Sequence, residues 1–253
     1  MSYDPTKRFS DRVDNYVKYR PGYPDEVITF LQNECNLSGD SVIADIGSGT
    51  GIFTKLLLDR GYKVYAVEPN QDMQLAAKQQ LGSNKNFSAV DGSAEATTLP
   101  AGGIDLIVCA QAFHWFNNEK TKAEFKRILK HGGHAALIWN NRLANVNEFS
   151  TAYETLLKQD SIDYTQVNHR NISDIDFKAF FKDGQYKAVK FPNAQIFDED
   201  GFLGRAFSSS YVPAEGTEAG EKFRELLKDI FAKYNKNGEV SFHYQTELYL
   251  GKI

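Results

Sequence analysis

The first half of the chain alternates short apolar runs with segments that are apolar on one side only. Residues 41–46 and 104–110 are almost continuously apolar, which is typical of strands buried on both faces of a parallel sheet. The alternation of such runs with segments of helical spacing favours an α/β fold with a doubly wound, mostly parallel sheet. We predict strands at 41–46, 63–67, 87–90, 104–110 and 134–139, and helices at 25–34, 53–60, 72–81 and 120–129, the last stopped by Gly132-Gly133.

The second half loses this rhythm and predicts a helical cover inserted before a last strand. Asn237-Gly238 marks a turn. Beyond it the residues alternate between apolar and polar, as in a strand with one buried face. We predict helical structure within 145–183, 198–209 and 218–234, a strand at 188–191 and an antiparallel C-terminal strand at 240–250.

Composition narrows the class of protein. The chain has 253 residues and a net charge of -4, and its lysines and arginines form no basic run, so we expect no nucleic-acid partner. It has neither a membrane-length apolar stretch nor a leader-like start, so we expect no membrane partner and a cytoplasmic location. Two isolated cysteines, Cys35 and Cys109, predict neither a disulfide framework nor a zinc site, and we expect no metal.

A glycine-rich turn follows the first predicted strand. Gly47, Gly49 and Gly51 are spaced G-x-G-x-G ahead of a predicted helix, and glycine allows a ligand to approach the backbone closely. Glu68 ends the second strand, 17 residues past Gly51, where a carboxylate accepts hydrogen bonds from ribose hydroxyls. A polar cluster after the third strand would reach an adenine base; it consists of Asp91, Ser93 and Glu95.

This pattern predicts a nucleotide or nucleoside site, with NAD as one alternative. The dinucleotide-binding pattern G-x-G-x-x-G would place a third glycine at position 52. Ile52 stands there instead, and its bulk disfavours the close helix–strand packing that the NAD site requires. An NAD-linked oxidoreductase is therefore the weaker hypothesis.

Four segments resemble the motifs of class I S-adenosylmethionine-dependent methyltransferases: 44–51 (ADIGSGTG), 64–70 (VYAVEPN), 92–95 (GSAE) and 104–108 (IDLIV). The resemblance implies a Rossmann-like seven-stranded sheet, S-adenosylmethionine as cofactor and a small-molecule methyl acceptor. It also implies one domain, divided into an N-terminal lid and helix region at 1–36, a cofactor-binding core at 37–142, a cover with a late sheet strand at 143–240, and a final strand at 240–251.

A narrower similarity links the chain to a subgroup related to trans-aconitate methyltransferases. It is carried by residues 8–10 (RFS), 19–24 (YRPGYP), 110–116 (AQAFHWF) and 244–251 (YQTELYLG). The subgroup resemblance implies a carboxylate or hydroxyl oxygen as the methyl acceptor.

The family resemblance assigns roles around the cofactor. Asp45 is expected beneath the methionine ammonium, Glu68 at the ribose, and Gly49 and Gly51 where room is needed for the sugar. The aromatic and basic segment around Tyr19 and Arg20 is either a lid that closes over the cofactor or a helix packed on the edge of the sheet. The cofactor-binding residues implied in this way are Tyr19, Arg20, Asp45, Gly47, Ser48, Gly49, Gly51, Glu68, Pro69, Met73, Ser93, Ala94, Ala110 and Gln111.

Candidate acceptor residues follow the fourth and fifth strands. His114 is placed to act as a base, and its alternative role is to orient or pack. Phe113, Trp115 and Phe116 would form an apolar wall. Arg142 and Arg205 would bind an acidic substrate, because a guanidinium can hold a carboxylate with two hydrogen bonds. A cofactor-binding protein without catalysis is the remaining alternative.

Overall fold

The structure, a computed structural model, describes residues 18–162, 164 and 172–253. Its centre is a seven-stranded sheet with the strand order β3-β2-β1-β4-β5-β7-β6. β5 and β6 both pair antiparallel with β7, whereas the pairs among β1 to β5 are parallel. The predicted Rossmann-like, mostly parallel sheet is confirmed. The strands are β1 Val42–Ile46, β2 Lys63–Val67, β3 Phe87–Val90, β4 Ile104–Ala110, β5 Leu129–Arg142, β6 Lys187–Phe197 and β7 Val240–Gly251.

Helices pack on both faces of this sheet. Polar side chains set where several of them begin; Asn70, Asn118 and Thr217, for example, each accept a hydrogen bond from the backbone amide three residues on. The described helices are α1 Asp25–Glu34, α2 Ile52–Asp59, α3 Gln71–Leu81, α4 Glu119–Ile128, α5 Glu148–Asp160, α6 Asp174–Phe180, α7 Glu199–Phe207 and α8 Glu218–Tyr234.

The central strands are buried on both faces, as their continuous apolar runs predict. Successive residues of β4 point to opposite sides, so Leu106 joins a cluster with Leu57 of α2, and Ile107 joins a cluster with Phe125 of α4. Because these strands are covered twice, polar groups concentrate at their ends. The switch in strand order lies between β1 and β4, which is where open α/β sheets bind ligands.

The cover has an aromatic core of its own. Phe149 and Tyr153 of α5 pack edge-on against Phe202 of α7, at ring-centroid distances of 5.4 and 5.6 Å. Both α5 rings also contact Phe242 of β7, at 5.1 Å each. The cover is therefore fixed to the amino-terminal half of the last strand, next to the carboxyl end of β5.

Three predictions about elements need correction. Gly132-Gly133 does not stop α4: β5 starts at Leu129, directly after the helix, and runs through both glycines, with a register shift against β4. Within the described part of the helical stretch predicted at 145–183 there are two α-helices, α5 with a capping box at Asn147 and α6 with a capping box at Ser173, and Ser161 and Ile162 after α5 are not helical. β6 is much longer than the predicted strand at 188–191, since its whole length pairs with β7.

Of the described helices, none is both long and apolar enough to cross a bilayer.

Candidate functional site

A cavity of about 260 Å³ opens where β1, β2 and β4 end. Its walls come from the glycine-rich turn, the turns after β2 and β3, and the segment after β4. Twelve residues to which the sequence analysis gives a role line it together. The lining residues are Gly47, Gly49, Glu68, Pro69, Asn70, Met73, Ser93, Ala94, Glu95, Ala110, Gln111, Ala112, Trp115 and Phe116.

The glycine-rich turn is folded back onto β2. The backbone amides of Gly47 and Ser48 both donate to the carbonyl of Val67, at 2.9 and 3.2 Å. Gly47 has a φ of +70°, and a Cβ there would lie 2.6 Å from the Cβ of Ala112. A side chain at position 47 is therefore excluded by both conformation and space.

Gly51 serves packing rather than the cavity. Its φ is +86°, and a Cβ would lie 2.6 Å from Leu81 Cδ1. The residue thus allows α2 to pack closely against α3. Gly51 is not among the residues that line the cavity, and the expectation that it leaves room for a sugar stays a prediction.

Glu68 is held by backbone amides. Its Oε2 accepts from the amide of Gly49 at 2.8 Å, and its Oε1 accepts from the amide of Asn70 at 2.9 Å. Burial raises the pKa of Glu68 above its usual value, although these two hydrogen bonds oppose the shift. Both oxygens keep a free lone-pair direction for a ligand, so the carboxylate is a fixed acceptor in the cavity wall.

Asp45 lies beneath the glycine-rich turn and is 1% exposed. Thr54 Oγ1 donates to its Oδ2 at 2.6 Å, while Oδ1 is buried with no hydrogen-bond partner among the described residues. Burial raises the pKa of Asp45 to about 7. A buried carboxylate oxygen of this kind favours a positively charged donor nearby.

The far end of the cavity is formed by the turns after β2 and β3. Asn70 Oδ1 accepts from the amide of Met73 at 3.0 Å, which starts α3 and turns Met73 toward the cavity. Ser93 is held by reciprocal backbone hydrogen bonds with Ala96, at 3.3 and 3.2 Å. These turns give one apolar wall and one wall with exposed polar groups.

Gln111, directly after β4, is conformationally strained. It has a φ of +60°, which is unusual for a residue other than glycine. Its amide donates to the carbonyl of Ile138 at 2.8 Å, and its side-chain Nε2 donates to the carbonyl of Asn140 at 3.3 Å. β5 therefore holds Gln111 in place at the cavity edge.

The aromatic run after β4 divides between the cavity and the core. Trp115 and Phe116 line the cavity. Phe113 is completely buried, packs against Phe180 at 4.5 Å and is not among the cavity-lining residues, so its role as a wall for substrate stays a prediction. His114 lies between Phe113 and Trp115 in a 3₁₀ turn, with its ring centroid 4.7 Å from that of Trp115. It is not among the residues that line the cavity.

The residues predicted for a lid pack against the cover. Gly204 of α7 admits the ring of Tyr19, since a Cβ there would lie 2.1 Å from Tyr19 Cε2. Arg20 Nη2 donates to the carbonyl of Ser208 at 3.0 Å. Neither residue lines the cavity around Glu68. The segment at 8–10 that carries part of the subgroup resemblance lies outside the described residues.

Arg142 and Arg205 also lie under the cover. Arg142 Nη2 pairs with Glu154 Oε2 at 2.5 Å, and Arg205 Nε contacts the hydroxyl of Tyr244 at 3.2 Å. Arg205 is 6% exposed and so lies well inside the cover.

Two cavity residues were absent from the prediction: Asn70 and Ala112. Glu95 and Phe116 were named with the polar cluster and the apolar wall, and both line the cavity. Asn70 and Ala112 contribute through a helix cap and a small side chain. No pattern in the sequence marks such contributions.

Comparison with known proteins gives a consistent result. Residues 44–137 match the family model described as a methyltransferase domain. A methyltransferase-named protein of Dictyostelium discoideum is 32% identical over 208 residues, which cover 77% of this chain and 75% of that protein. An uncharacterized methyltransferase-like protein of Schizosaccharomyces pombe is 35% identical over 140 residues, 54% of this chain and 52% of the relative. The match thus spans about half the length of the latter.

Solved structures share the fold at low sequence identity. A structure described as a type II methyltransferase from Anaeromyxobacter dehalogenans has a TM-score of 0.69 and 20% identity, and the match covers 92% of this chain and 98% of that one. A methyltransferase from Geobacter sulfurreducens, in complex with S-adenosyl-L-homocysteine, has a TM-score of 0.54 and 16% identity over 100% and 99% of the two chains.

Proposed function

The chain belongs to the class I S-adenosylmethionine-dependent methyltransferases, and from this premise we propose that it methylates a carboxylate or hydroxyl oxygen of a small molecule. The observation that carries the site assignment is the cavity at the ends of β1, β2 and β4, where Gly47, Glu68 and Gln111 meet. The NAD-linked oxidoreductase hypothesis is rejected, because the family model and the relatives are methyltransferases.

The residues present fit S-adenosylmethionine. The buried Asp45 Oδ1 has no hydrogen-bond partner among the described residues, and the ammonium of a methionine moiety, through a water molecule, would supply a donor. The fixed Glu68 carboxylate suits two ribose hydroxyls. The apolar wall at Pro69 and Met73 suits a purine ring.

The bound cofactor supplies a methyl group already activated by its sulfonium, so the protein has mainly to align the acceptor and exclude water. Trp115 and Phe116 provide an apolar wall at the methionine end. A hydroxyl acceptor also needs a proton acceptor, and we assign this role to His114, since it directly precedes Trp115. A carboxylate acceptor needs no base, and His114 would then only support the wall.

A small molecule rather than a nucleic acid is part of this proposal. The net charge of -4 supports it, because nucleic-acid binding draws on clustered positive charge. We also propose a cytoplasmic location. Both cysteines are free, with Cys109 buried in the core, as expected for a reducing compartment.

The test is calorimetric titration of the full chain with S-adenosylmethionine, S-adenosylhomocysteine and NAD, followed by a radiolabelled methyl-transfer screen of small acids and alcohols. We expect micromolar binding of both sulfur nucleosides, none of NAD, and transfer to at least one acid or alcohol. Failure of both sulfur nucleosides to bind would contradict the site assignment. Binding without transfer to any compound would favour the non-catalytic alternative.

A further inference from the structure

A cluster of arginine and tyrosine side chains lies under the cover beside the cavity. Arg142 is the last residue of β5 and is paired with Tyr244 on the neighbouring strand β7. Gln111, in the cavity wall, donates to the carbonyl of Asn140, two residues before Arg142. Arg142 therefore follows, by two residues along β5, the point at which this strand contacts the cavity wall.

Among the described residues, the carboxylate that pairs with Arg142 is shared with a second cation. Arg142 Nη2 contacts Glu154 Oε2 at 2.5 Å and the hydroxyl of Tyr164 at 3.0 Å. The other oxygen of Glu154 lies 3.3 Å from Lys158 Nζ. Within the part of the chain that the structure describes, one carboxylate thus serves two cations.

Arg205 is buried without a carboxylate. Its Nε contacts the hydroxyl of Tyr244 at 3.2 Å, and its Nη1 contacts Ser209 Oγ at 3.1 Å. Among the described residues, no Asp or Glu lies within ion-pair distance of Arg205. A buried cation with only neutral partners is costly, and an anion would relieve that cost.

Two buried donors in the same cluster lack a hydrogen-bond partner within the part of the chain that the structure describes. They are Arg142 Nη1 and the hydroxyl of Tyr153. Tyr153 is 1% exposed, and the Arg142 guanidinium lies 4.9 Å from the centroid of its ring. Buried polar atoms are normally hydrogen-bonded, so two neighbouring open donors indicate a missing acceptor.

Tyr211 reports the same positive potential. Burial raises the pKa of its hydroxyl, but the guanidiniums of Arg205, Arg142 and Arg20 together lower it to a net value below the usual range. Three arginines from separate parts of the chain therefore contribute positive potential at the Tyr211 hydroxyl.

We propose that this cluster binds an anionic group of the methyl acceptor, a carboxylate or a phosphate, to which Arg142 and Tyr153 donate hydrogen bonds while Arg205 supplies further positive charge. The inference rests on the proposed methyl transfer to a small molecule and names the chemistry of that molecule. An acceptor held in this way has its anionic group under the cover and its reacting oxygen toward Gln111 and Trp115.

The test uses the full chain saturated with S-adenosylhomocysteine and titrated calorimetrically with malonate or inorganic phosphate. The titration extends to about 20 mM, where even a millimolar site is nearly filled. We expect saturable binding of one of the two anions, and its identity distinguishes a carboxylate from a phosphate site. In Arg142→Gln the anion should bind at least about tenfold more weakly, and in Tyr153→Phe about three- to tenfold more weakly.

Tyr153→Phe is the decisive variant, because it removes one oxygen atom and keeps the aromatic packing. It keeps the inference testable even if Arg142→Gln does not fold. Arg224→Gln is the matched control: this arginine also stacks on a ring of the cover, that of Phe207, but pairs with Glu215 at 2.5 Å. It should leave anion binding unchanged. No saturable anion binding, or equal binding by wild type and Tyr153→Phe, would overturn the inference. If the wild-type protein does not bind S-adenosylhomocysteine at all, that result would instead count against the proposed function.

Discussion

The ends of β1 and β2 and the end of β5 lie at the same edge of the sheet, yet they present polar atoms to a ligand in different ways. At β1 and β2, backbone amides hold Glu68, and the glycine-rich turn leaves space by having no side chains. At β5, long side chains from β5 and the cover form the site, with Arg142 paired to Glu154. The cofactor side is defined by the backbone, and the acceptor side by a network of side chains.

The two regions should also respond to pH in opposite directions. The raised pKa of Asp45 means that its proton stabilises the folded state. Burial by itself raises the pKa of Glu154. The hydrogen bond from Tyr164 and the positive charge of Arg142 outweigh this effect, so the pKa lies below the usual value and the ionised form stabilises the fold. Substitutions can therefore separate the two contributions.

The largest effect is expected for Asp45→Asn. In the folded protein the pKa of Asp45 is raised from 3.8 to about 7, so its stabilising contribution is complete below pH 3.8 and is lost as the pH rises through 7. A neutral amide can keep the contact with Thr54 and avoids a buried charge. At pH 8 the free energy of unfolding should rise by about 2–4 kcal/mol, with little change at pH 4. Denaturant titrations at both pH values measure it.

The same variant should bind S-adenosylmethionine about tenfold more weakly, because the ammonium loses its nearby negative charge. Asp59→Asn is the control, as Asp59 is exposed and pairs only with Lys55 on the surface of α2. An Asp45→Asn protein whose stability follows the wild-type pH profile would show that the buried carboxylate does not titrate near neutrality.

Glu154→Gln should act in the opposite direction on the acceptor side. The variant leaves Arg142 without its carboxylate at a site where both side chains are 11% exposed. The free energy of unfolding at pH 7 should fall by about 2–3 kcal/mol. Because the pKa of Glu154 is lowered in the fold, its contribution is present above pH 4.5 and is lost as the pH falls through the folded value. The difference from wild type should therefore shrink in acid.

Glu225→Gln provides the comparison for that experiment. Glu225 pairs with Lys228 on the exposed face of α8, so its loss should cost less than about 0.5 kcal/mol. Binding of S-adenosylhomocysteine to Glu154→Gln should match wild type. A shared loss of stability and cofactor affinity would mean that the two regions are not independent.

Glu68→Ala isolates the cofactor side. The variant removes the acceptor for two ribose hydroxyls, and S-adenosylhomocysteine affinity should fall about 30- to 100-fold, or about 2–3 kcal/mol. Calorimetric titration measures the affinity, and Glu34→Ala, whose carboxylate pairs with Lys187 away from the cavity, is the control. Unchanged affinity in Glu68→Ala would remove this residue from the site.

The cofactor side could be predicted from the sequence because its determinants are local. A buried strand, three glycines and the acid at the next strand end lie within a short stretch, and the strand order brings their ends together. The strands and helices of the first half follow the apolar pattern closely for the same reason. For Gly51 the sequence does not separate two roles, since close packing against Leu81 and space for a sugar both require glycine.

The grouping of side chains on the proposed acceptor side could not be predicted in the same way, because its members are distant in sequence. Arg142 and Arg205 were each predicted to bind an acidic substrate, but they come from a strand end and a helix, and no pattern in the sequence joins them to Tyr153 of a second helix. Nearness in sequence is no guide here either: Phe113 is two residues from Trp115, which lines the cavity, yet Phe113 is completely buried. The sequence of residues 145–183 predicts helical structure. It does not predict that α5 and α6 are separate helices, because their starts depend on side-chain caps.

Gln111 joins the two regions, and its substitution gives the smallest expected effect. Its φ of +60° costs strain, and its side chain donates to Asn140. Gln111→Ala loses the hydrogen bond and keeps the strain, whereas Gln111→Gly loses both. Glycine should therefore be more stable than alanine by about 1 kcal/mol, because an L side chain resists this conformation. If the side chain positions the methionine end, both variants should lose methyl-transfer rate equally while differing in stability. A rate that follows stability instead would mean that Gln111 acts only by holding the end of β4 against β5.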